Sequence, residues 1–429
     1  MTVLVAFLAL AALMILRIPV GFAMGIVGAG GVAYIVSWPA AYSMIGTIAV
    51  RTTTDYAFGI IPMFLLMGSL VARSGISTEL YRAANAFMGR LRGGLALATI
   101  GACGGFAAIC GSSVATAATF SAVAYPEMVD KDYPRGLAAG VIAAGGTLGI
   151  LIPPSTVLAV YGIITQQDIG KLFVAGILPG LLAMAMYMLT ISLIGRLRPG
   201  YLPEGVRAAP GERLASLRGI WATLLLFCFV IGGLYWGLFT PTEAGAMGAA
   251  GAFAIGLLRG RLSPAKIRAA LIDTTRVTAA IFTILIGALL FGYFLALTQT
   301  PQAVTAFLAN LGLGPYGILL MILLMYLVLG CIMDSMAMIV LTLPIVFPII
   351  LELGFDPIWF GIVLVVVVEL GIITPPIGMN LFVIKSVLPD LRLMEIIRGV
   401  SPFIVTDVIR LAILIAFPAI SLFLPSLMR

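Results

Sequence analysis

The stretches "GILIPPSTVLAVYG" (149–162) and "GIITPPIGMNLFVIK" (371–385) each set two adjacent prolines inside an apolar run. Adjacent prolines remove two amide donors and clash with the preceding turn, so a helix cannot run through them unaided. In lipid no water satisfies the freed carbonyls. A break made twice in this way implies that something else in the protein uses them.

The environment is a bilayer. Of 429 residues, 62% are hydrophobic and 10% charged, and the mean hydropathy is +1.19. Soluble proteins carry about 25% charged residues. Repeated apolar stretches of about 20 residues make this an all-α polytopic membrane protein. The first segment, "MTVLVAFLALAALMILRIPV", lacks a basic start and a small-residue cleavage site, so a retained helix is expected rather than a signal peptide. Cys103, Cys110, Cys228 and Cys331 lie in apolar segments without metal-ligand spacing and read as small buried hydrophobes. The chain has no histidine, which removes His-ligated haem, HExxH zinc sites and His-activated nucleophiles. Its net charge of +7 falls in short loops between apolar runs, which indicates topology rather than nucleic-acid binding.

Apolar runs predict ten crossings, near 2–16, 18–36, 56–72, 136–165, 172–195, 219–239, 241–258, 276–297, 359–385 and 401–426. Runs 93–125 and 312–351 are too long for one pass and polar at mid-length, and read as re-entrant hairpins. With both termini periplasmic, 20 of the 24 Lys and Arg face the cytoplasm; Arg51, Lys171 and Arg429 lie outside and Arg410 sits inside the last helix. This satisfies the positive-inside rule. The Pro-, Gly- and Arg-rich loop 196–218 reads as an exposed linker, and 77–93 as an amphipathic interfacial helix.

The two Pro-Pro breaks begin at Pro153 and Pro375, and the hairpin centres are "CGSSVATAAT" (110–119) and "MDSMAMIVLT" (333–342). The interval between the breaks and the interval between the hairpin centres are the same to within a single position. Each half reads crossing, hairpin, broken helix, crossing, starting from opposite sides. That is an inverted-topology repeat, an architecture of alternating-access transporters. The expected organisation is scaffold helices in 1–55, repeat 1 in 56–195, linker and further scaffold in 196–275, and repeat 2 in 276–429.

"GSSVATAAT", "GGTLGILIPPST", "MDSMAMIVLTLPIVFPI" and "ELGIITPPIGMNLF" resemble the large membrane subunit of tripartite ATP-independent periplasmic (TRAP) transporters, in order and over essentially the whole chain. The resemblance implies an elevator-type, sodium-driven importer of organic anions such as C4-dicarboxylates or sialic acid, in a bacterial inner membrane, coupled to two or more sodium ions. It also implies two partners: a soluble periplasmic binding protein and a small four-helix membrane subunit, expected here as a separate polypeptide.

Broken helices leave carbonyls that coordinate cations and helix N-termini that attract anions. The hydroxyls of Ser112 and Ser113 at the first hairpin tip suit sodium or a substrate carboxylate. One sodium is placed between them and the backbone near Gly149–Pro153, and Ser155 and Thr156 are further candidates for substrate. Asp334, the only acid between Asp273 and Glu352, is read as a ligand of a second sodium with Thr374, flanked by Ser335 and Gly378. Asn380 either adds an amide oxygen or binds substrate. Glu369, one turn before the second break, has no assigned role, and Glu243 reads as a residue favoured by a helix N-terminus. The rival readings are a carrier of the same superfamily without a binding protein, an intramembrane enzyme using Ser113 or Asp334, and a passive channel.

Overall fold

The computed structural model describes residues 2–205, 211–309 and 312–428. Of the charge assignments, those of Arg207 and Arg429 fall outside these residues, as does the middle of loop 196–218. Among the described residues all regular elements are helical. The first half contains α1 (Thr2–Ile15), α2 (Val20–Ile35), α3 (Trp38–Thr54), α4 (Ile60–Arg73) and α5 (Ile76–Met88). It continues with α6 (Gly94–Cys110), α7 (Ser113–Asp130), α8 (Arg135–Leu151), α9 (Thr156–Thr165) and α10 (Ile169–Leu197). The second half contains α11 (Glu212–Tyr235), α12 (Pro241–Leu258), α13 (Pro264–Leu297), α14 (Thr300–Ala309) and α15 (Pro315–Gly330). It ends with α16 (Ser335–Glu352), α17 (Pro357–Ile373), α18 (Met379–Val387), α19 (Leu393–Ala416) and α20 (Ala419–Ser426).

Seven helices among the described residues are long and apolar enough to cross a membrane. The apolar runs of the sequence predict ten crossings. Ser335–Glu352, assigned to a hairpin from sequence, is one of the seven, while α1 and α2 are shorter than that length. The structure adds one helix to those expected and moves the bounds of two. Residues 38–54 form α3, capped by Ser37, whose side chain accepts the Ala40 N–H. The helix expected at 276–297 begins at Pro264, behind the Ser263 cap. The last expected span is two helices, because Pro418 follows the end of α19 and has no N–H to extend it.

The halves match in register. α7 maps onto α16 and α8 onto α17 at both ends by one constant displacement, the same that carries Pro153 to Pro375. Both long segments are helical hairpins: Thr99 meets Met128 at the open end of α6–α7, and Phe106 stacks edge-on against Phe120 at 5.8 Å nearer the tip. In α15–α16 the Thr342 hydroxyl bonds the Tyr326 hydroxyl at 2.6 Å. α8 and α17 are buried on all sides beyond their first residues and form the centre of the molecule. An apolar helix without a polar face is stable only in such a position.

Packing exchanges partners between the halves. α2 lies on α13 while α4, the counterpart of the end of α13, lies on α12. Glycines permit the first approach: a Cβ on Gly28 would stand 2.6 Å from the Leu290 carbonyl carbon, and one on Gly287 would overlap the Gly21 carbonyl. α8 meets α19 in the same manner through Gly136, Gly140 and Gly399. Gly287→Ala is therefore expected to lower unfolding free energy by about 1–3 kcal/mol, as overpacking does. Gly30→Ala places its methyl in open space and should be neutral or stabilising by up to about 1 kcal/mol. Thermal unfolding of the two purified variants compares them directly.

Candidate functional site: two junctions between hairpin tips and broken helices

At the first junction α6 stops at Cys110, and Gly111 turns the chain with φ +63°, a conformation that favours glycine. Ser112 starts α7, its Oγ accepting the Ala115 N–H at 3.3 Å. Opposite the tip, Pro153 and Pro154 have no N–H, so the Gly149 and Ile150 carbonyls lose their ordinary donors one turn on. Ser155 Oγ donates to the Ile150 carbonyl and accepts the Leu158 N–H at 3.2 Å, closing one half-helix and capping the next. The Thr156 hydroxyl donates to the Gly111 carbonyl at 3.1 Å. A Cβ on Gly149 would lie 2.6 Å from the Ser112 carbonyl oxygen, so tip and break meet backbone to backbone. Gly149, Pro153, Ser155, Thr156 and Ser113 are buried.

The second junction repeats the scheme with different atoms. Pro375 and Pro376 free the Gly371 and Ile372 carbonyls; the Thr374 N–H returns to Gly371 at 3.1 Å and its hydroxyl to Leu370 at 2.5 Å. The Gly378 N–H donates to the Cys331 carbonyl at the hairpin tip, 3.3 Å away. Gly378 holds the place in the second half that Thr156 holds in the first, and both bond back to a tip. Gly330 and Gly371 are close enough that a Cβ on the latter would stand 2.8 Å from Gly330 Cα. Both Pro-Pro peptide bonds are cis. Whereas the first break is enclosed, Pro376 and Ile377 are exposed.

Asp334 occupies the position of Ser112. Its carboxylate accepts the N–H groups of Met336 and Ala337 at 3.0 and 3.3 Å, capping α16. The helix N-terminus thus supplies the partner that sequence could not find for an isolated acid. Asp334 and Thr374 each bond their own local backbone rather than one another. Ser335 is half-buried beside Asp334.

The structure brings Ser113 to Asn380, a pairing that sequence spacing gave no means of finding. The Asn380 amide donates to Ser113 Oγ at 2.7 Å, Ser113 reaches Asn380 Oδ1 at 3.1 Å, and the Ala143 carbonyl is 3.4 Å from the same amide. Asn380 and Ser113 are 0% and 4% exposed. This link ties the first hairpin to the second broken helix. The Glu243 reading fits the fold: with Thr240 it forms a capping box on α12.

No group of three Cys, Asp or Glu residues arranged to hold a metal ion occurs among the described residues. The junctions offer carbonyls, hydroxyls and one carboxylate, a donor set that suits a hard cation rather than a thiophilic metal. A cavity of about 1380 Å³ lies elsewhere, lined by Thr47, Arg51, Gln166 and Tyr293 among others, with Val340 and Pro344 of α16 on one wall. None of the junction residues named above lines it.

The fold is that of a membrane transporter. The YdaH transporter of Alcanivorax borkumensis superposes with a TM-score of 0.64 at 15% identity, covering 90% of each chain. The chain belongs to the family of the tripartite ATP-independent periplasmic transporter, DctM component, whose profile matches residues 7–420. The C4-dicarboxylate TRAP transporter large permease protein DctM of Pseudomonas aeruginosa is 40% identical over 88% of both chains. The sialic acid TRAP transporter large permease protein SiaM of Vibrio cholerae is 33% identical over 90% of this chain and 89% of its own. The protein is accordingly a multi-pass transporter subunit and not an enzyme.

The Ser113–Asn380 bond generates a test of the junction. Asn380→Ala and Ser113→Ala should each destabilise by about 1–3 kcal/mol, since each leaves a buried polar partner unpaired. The double variant should recover about 1 kcal/mol of the sum. A thermal or denaturant double-mutant cycle measures that coupling, and strict additivity would show the two side chains to be independent.

Proposed function

We propose that this chain is the membrane-embedded permease of a three-component importer that takes up an organic anion, a carboxylate, down a sodium gradient. A periplasmic binding protein delivers the substrate, and a small four-helix membrane subunit completes the scaffold. The reading carries over from relatives named for C4-dicarboxylate and sialic acid. The single observation that supports it from within this chain is the pair of junctions where a helix broken at Pro-Pro bonds back to a hairpin tip. Ser112, Ser113 and the backbone of Gly149–Pro153 would hold one ion; Asp334, Ser335, Thr374 and Gly378 would hold a second. Asn380, Ser155 and Thr156 would meet the substrate, with hydroxyl and amide donors in place of a cationic clamp. Sodium would supply positive charge next to the carboxylate and tie substrate entry to the ion gradient.

In this reading the chain lies in the bacterial inner membrane with ten crossings, both termini periplasmic, and repeats of opposite orientation. The hairpins re-enter from opposite faces and slide with the broken helices as one body against α2, α4, α12 and α13. The physical support is that each ion site is shared by a hairpin and a broken helix, so separating them would destroy both sites.

Asp334→Asn separates the ion-binding role from the structural one. Asparagine caps helices as well as aspartate does, so the variant should remain folded in proteoliposomes. Concentrative, sodium-dependent uptake, measured with the small subunit and a binding protein loaded with labelled dicarboxylate, should be lost. Uptake at the wild-type level would remove Asp334 from the ion site.

Sliding is tested by crosslinking in a background otherwise free of cysteine. A Cβ on Gly292 of α13 would lie 3.5 Å from the Cβ of Pro344 in the second hairpin, a spacing that a disulfide tolerates. The Gly292→Cys/Pro344→Cys bridge should stop uptake reversibly with reductant. A cysteine pair joining a hairpin to its broken helix, inside the proposed moving body, should leave uptake intact. Transport through the first bridge would rule out relative motion of α13 and the hairpin.

A further inference from the structure

Glu369 lies in α17 at the position that Thr147 holds in α8 of the first half. Between them the fold encloses a charged cluster. Arg410 Nη2 donates to Glu369 Oε2 at 2.6 Å and stands 3.0 Å from Asp407 Oδ1. The Tyr187 hydroxyl is 2.8 Å from both Asp407 oxygens and 3.1 Å from the Thr147 hydroxyl. The Arg410 guanidinium also sits 5.8 Å from the centre of the Tyr187 ring. Glu369, Asp407, Arg410, Tyr187 and Thr147 are all 0% exposed.

The charges do not balance: one guanidinium faces two carboxyls. With both ionised, the cluster would hold an uncompensated negative charge in the membrane interior, where such a charge is costly. The hydrogen bonds identify the carboxyl that can be neutral. Asp407 has donors within reach of both oxygens, Arg410 at Oδ1 and Tyr187 at either. Glu369 has a donor at Oε2 only, and its Oε1 is buried with no partner. An orphaned carboxylate oxygen is far more costly than an orphaned acid hydroxyl.

We infer that Glu369 is a proton-binding site, holding its proton on Oε1 beside a neutral Arg410–Asp407 ion pair. The ligand is a proton rather than a metal cation, because the adjacent guanidinium repels a second positive ion. The charged and titratable groups facing Glu369 are Arg410 and Asp407 from α19 and Tyr187 from α10. On the other helices packed against α17 the charged residues stand away from the site: Arg135 begins α8, Glu352 ends α16 and Lys385 lies beyond the break in α18. α9, α15 and α20 carry no charged residue. The site thus binds one proton within a contact that joins α8, α10, α17 and α19, the leading halves of both broken helices and the helices that follow them.

The test is infrared spectroscopy and thermal unfolding of the purified protein in lipid nanodiscs at alkaline pH, where exposed carboxyls are ionised. Wild type should show the carbonyl stretch of a protonated, buried carboxyl, shifted by deuterium exchange. Glu369→Gln, an isostere of the neutral acid, should lose that band and melt within about 2 °C of wild type. Asp407→Asn leaves one guanidinium facing one carboxyl, so Glu369 should ionise to pair Arg410 and the band should be lost here too. A band that persists in this variant would overturn the assignment. A wild-type spectrum without the band, a band that survives Glu369→Gln, or a Glu369→Gln protein that fails to fold would each overturn the assignment.

Discussion

A backbone carbonyl in a bilayer must have a donor or a cation, and two pairs of prolines deny four carbonyls the usual donor. The rest of the architecture follows from that constraint. A lipid-facing break would be unstable, and the leading halves of both broken helices, α8 and α17, lie at the centre of the molecule. They are enclosed by their own hairpins and by helices of the opposite half, although Pro376 and Ile377 at the second break are exposed. The hairpin tips must approach the breaks to within backbone distance, and small residues stand where they do so: Gly111 against Pro154, Gly149 against Ser112, Gly371 against Gly330. Ser155 Oγ repairs the Ile150 carbonyl and the Thr374 N–H the Gly371 carbonyl, leaving the junctions partly, not wholly, satisfied.

The exchange of partners between halves makes this arrangement cooperative. α8 of the first half packs on α19 of the second, and Ser113 of the first hairpin bonds Asn380 of the second broken helix. Each junction is built within its own half, and the Ser113–Asn380 bond ties the two together. The same interleaving recurs in the ion pairs: Glu79 pairs with Arg259 and Arg261, and Arg73 with Asp273, each pair joining the first half of the chain to the second.

Much of this was legible in the sequence because it is written in local patterns. Pro-Pro marks a break whatever surrounds it, and its recurrence at the interval that also separates the hairpin centres exposes the duplication without any knowledge of packing. Cap positions were legible in type but not in consequence. Asp334 looked like an unpaired charge, and only the helix beginning at Ser335 shows that backbone amides meet it. α3 escaped notice because its polar threonines and Arg51 dilute its apolar residues, and it buries little more than Ala41 and Thr52. Partners that meet only through tertiary structure left no trace: nothing in the spacing joins Ser113 to Asn380 or Glu369 to Arg410. A lone arginine within the last apolar run was the one available hint, since such a residue needs an acid somewhere.

Ser112 and Asp334 stand at matching positions, capping matching helices, yet one is neutral and the other acidic. The consequence, under the proposed occupancy by sodium, is electrical. An ion held by hydroxyls and carbonyls gives its site a net positive charge when full and none when empty. An ion held at Asp334 gives a neutral full site and a negative empty one. The bound carboxylate would cancel the charge of the ion at the first site. Membrane voltage, worth about 2.3 kcal/mol per elementary charge per 100 mV, would therefore act on the empty return, when Asp334 is left without its ion. Two copies of one motif, differing by a single carboxylate, would let the resting potential act on the return stroke of the cycle.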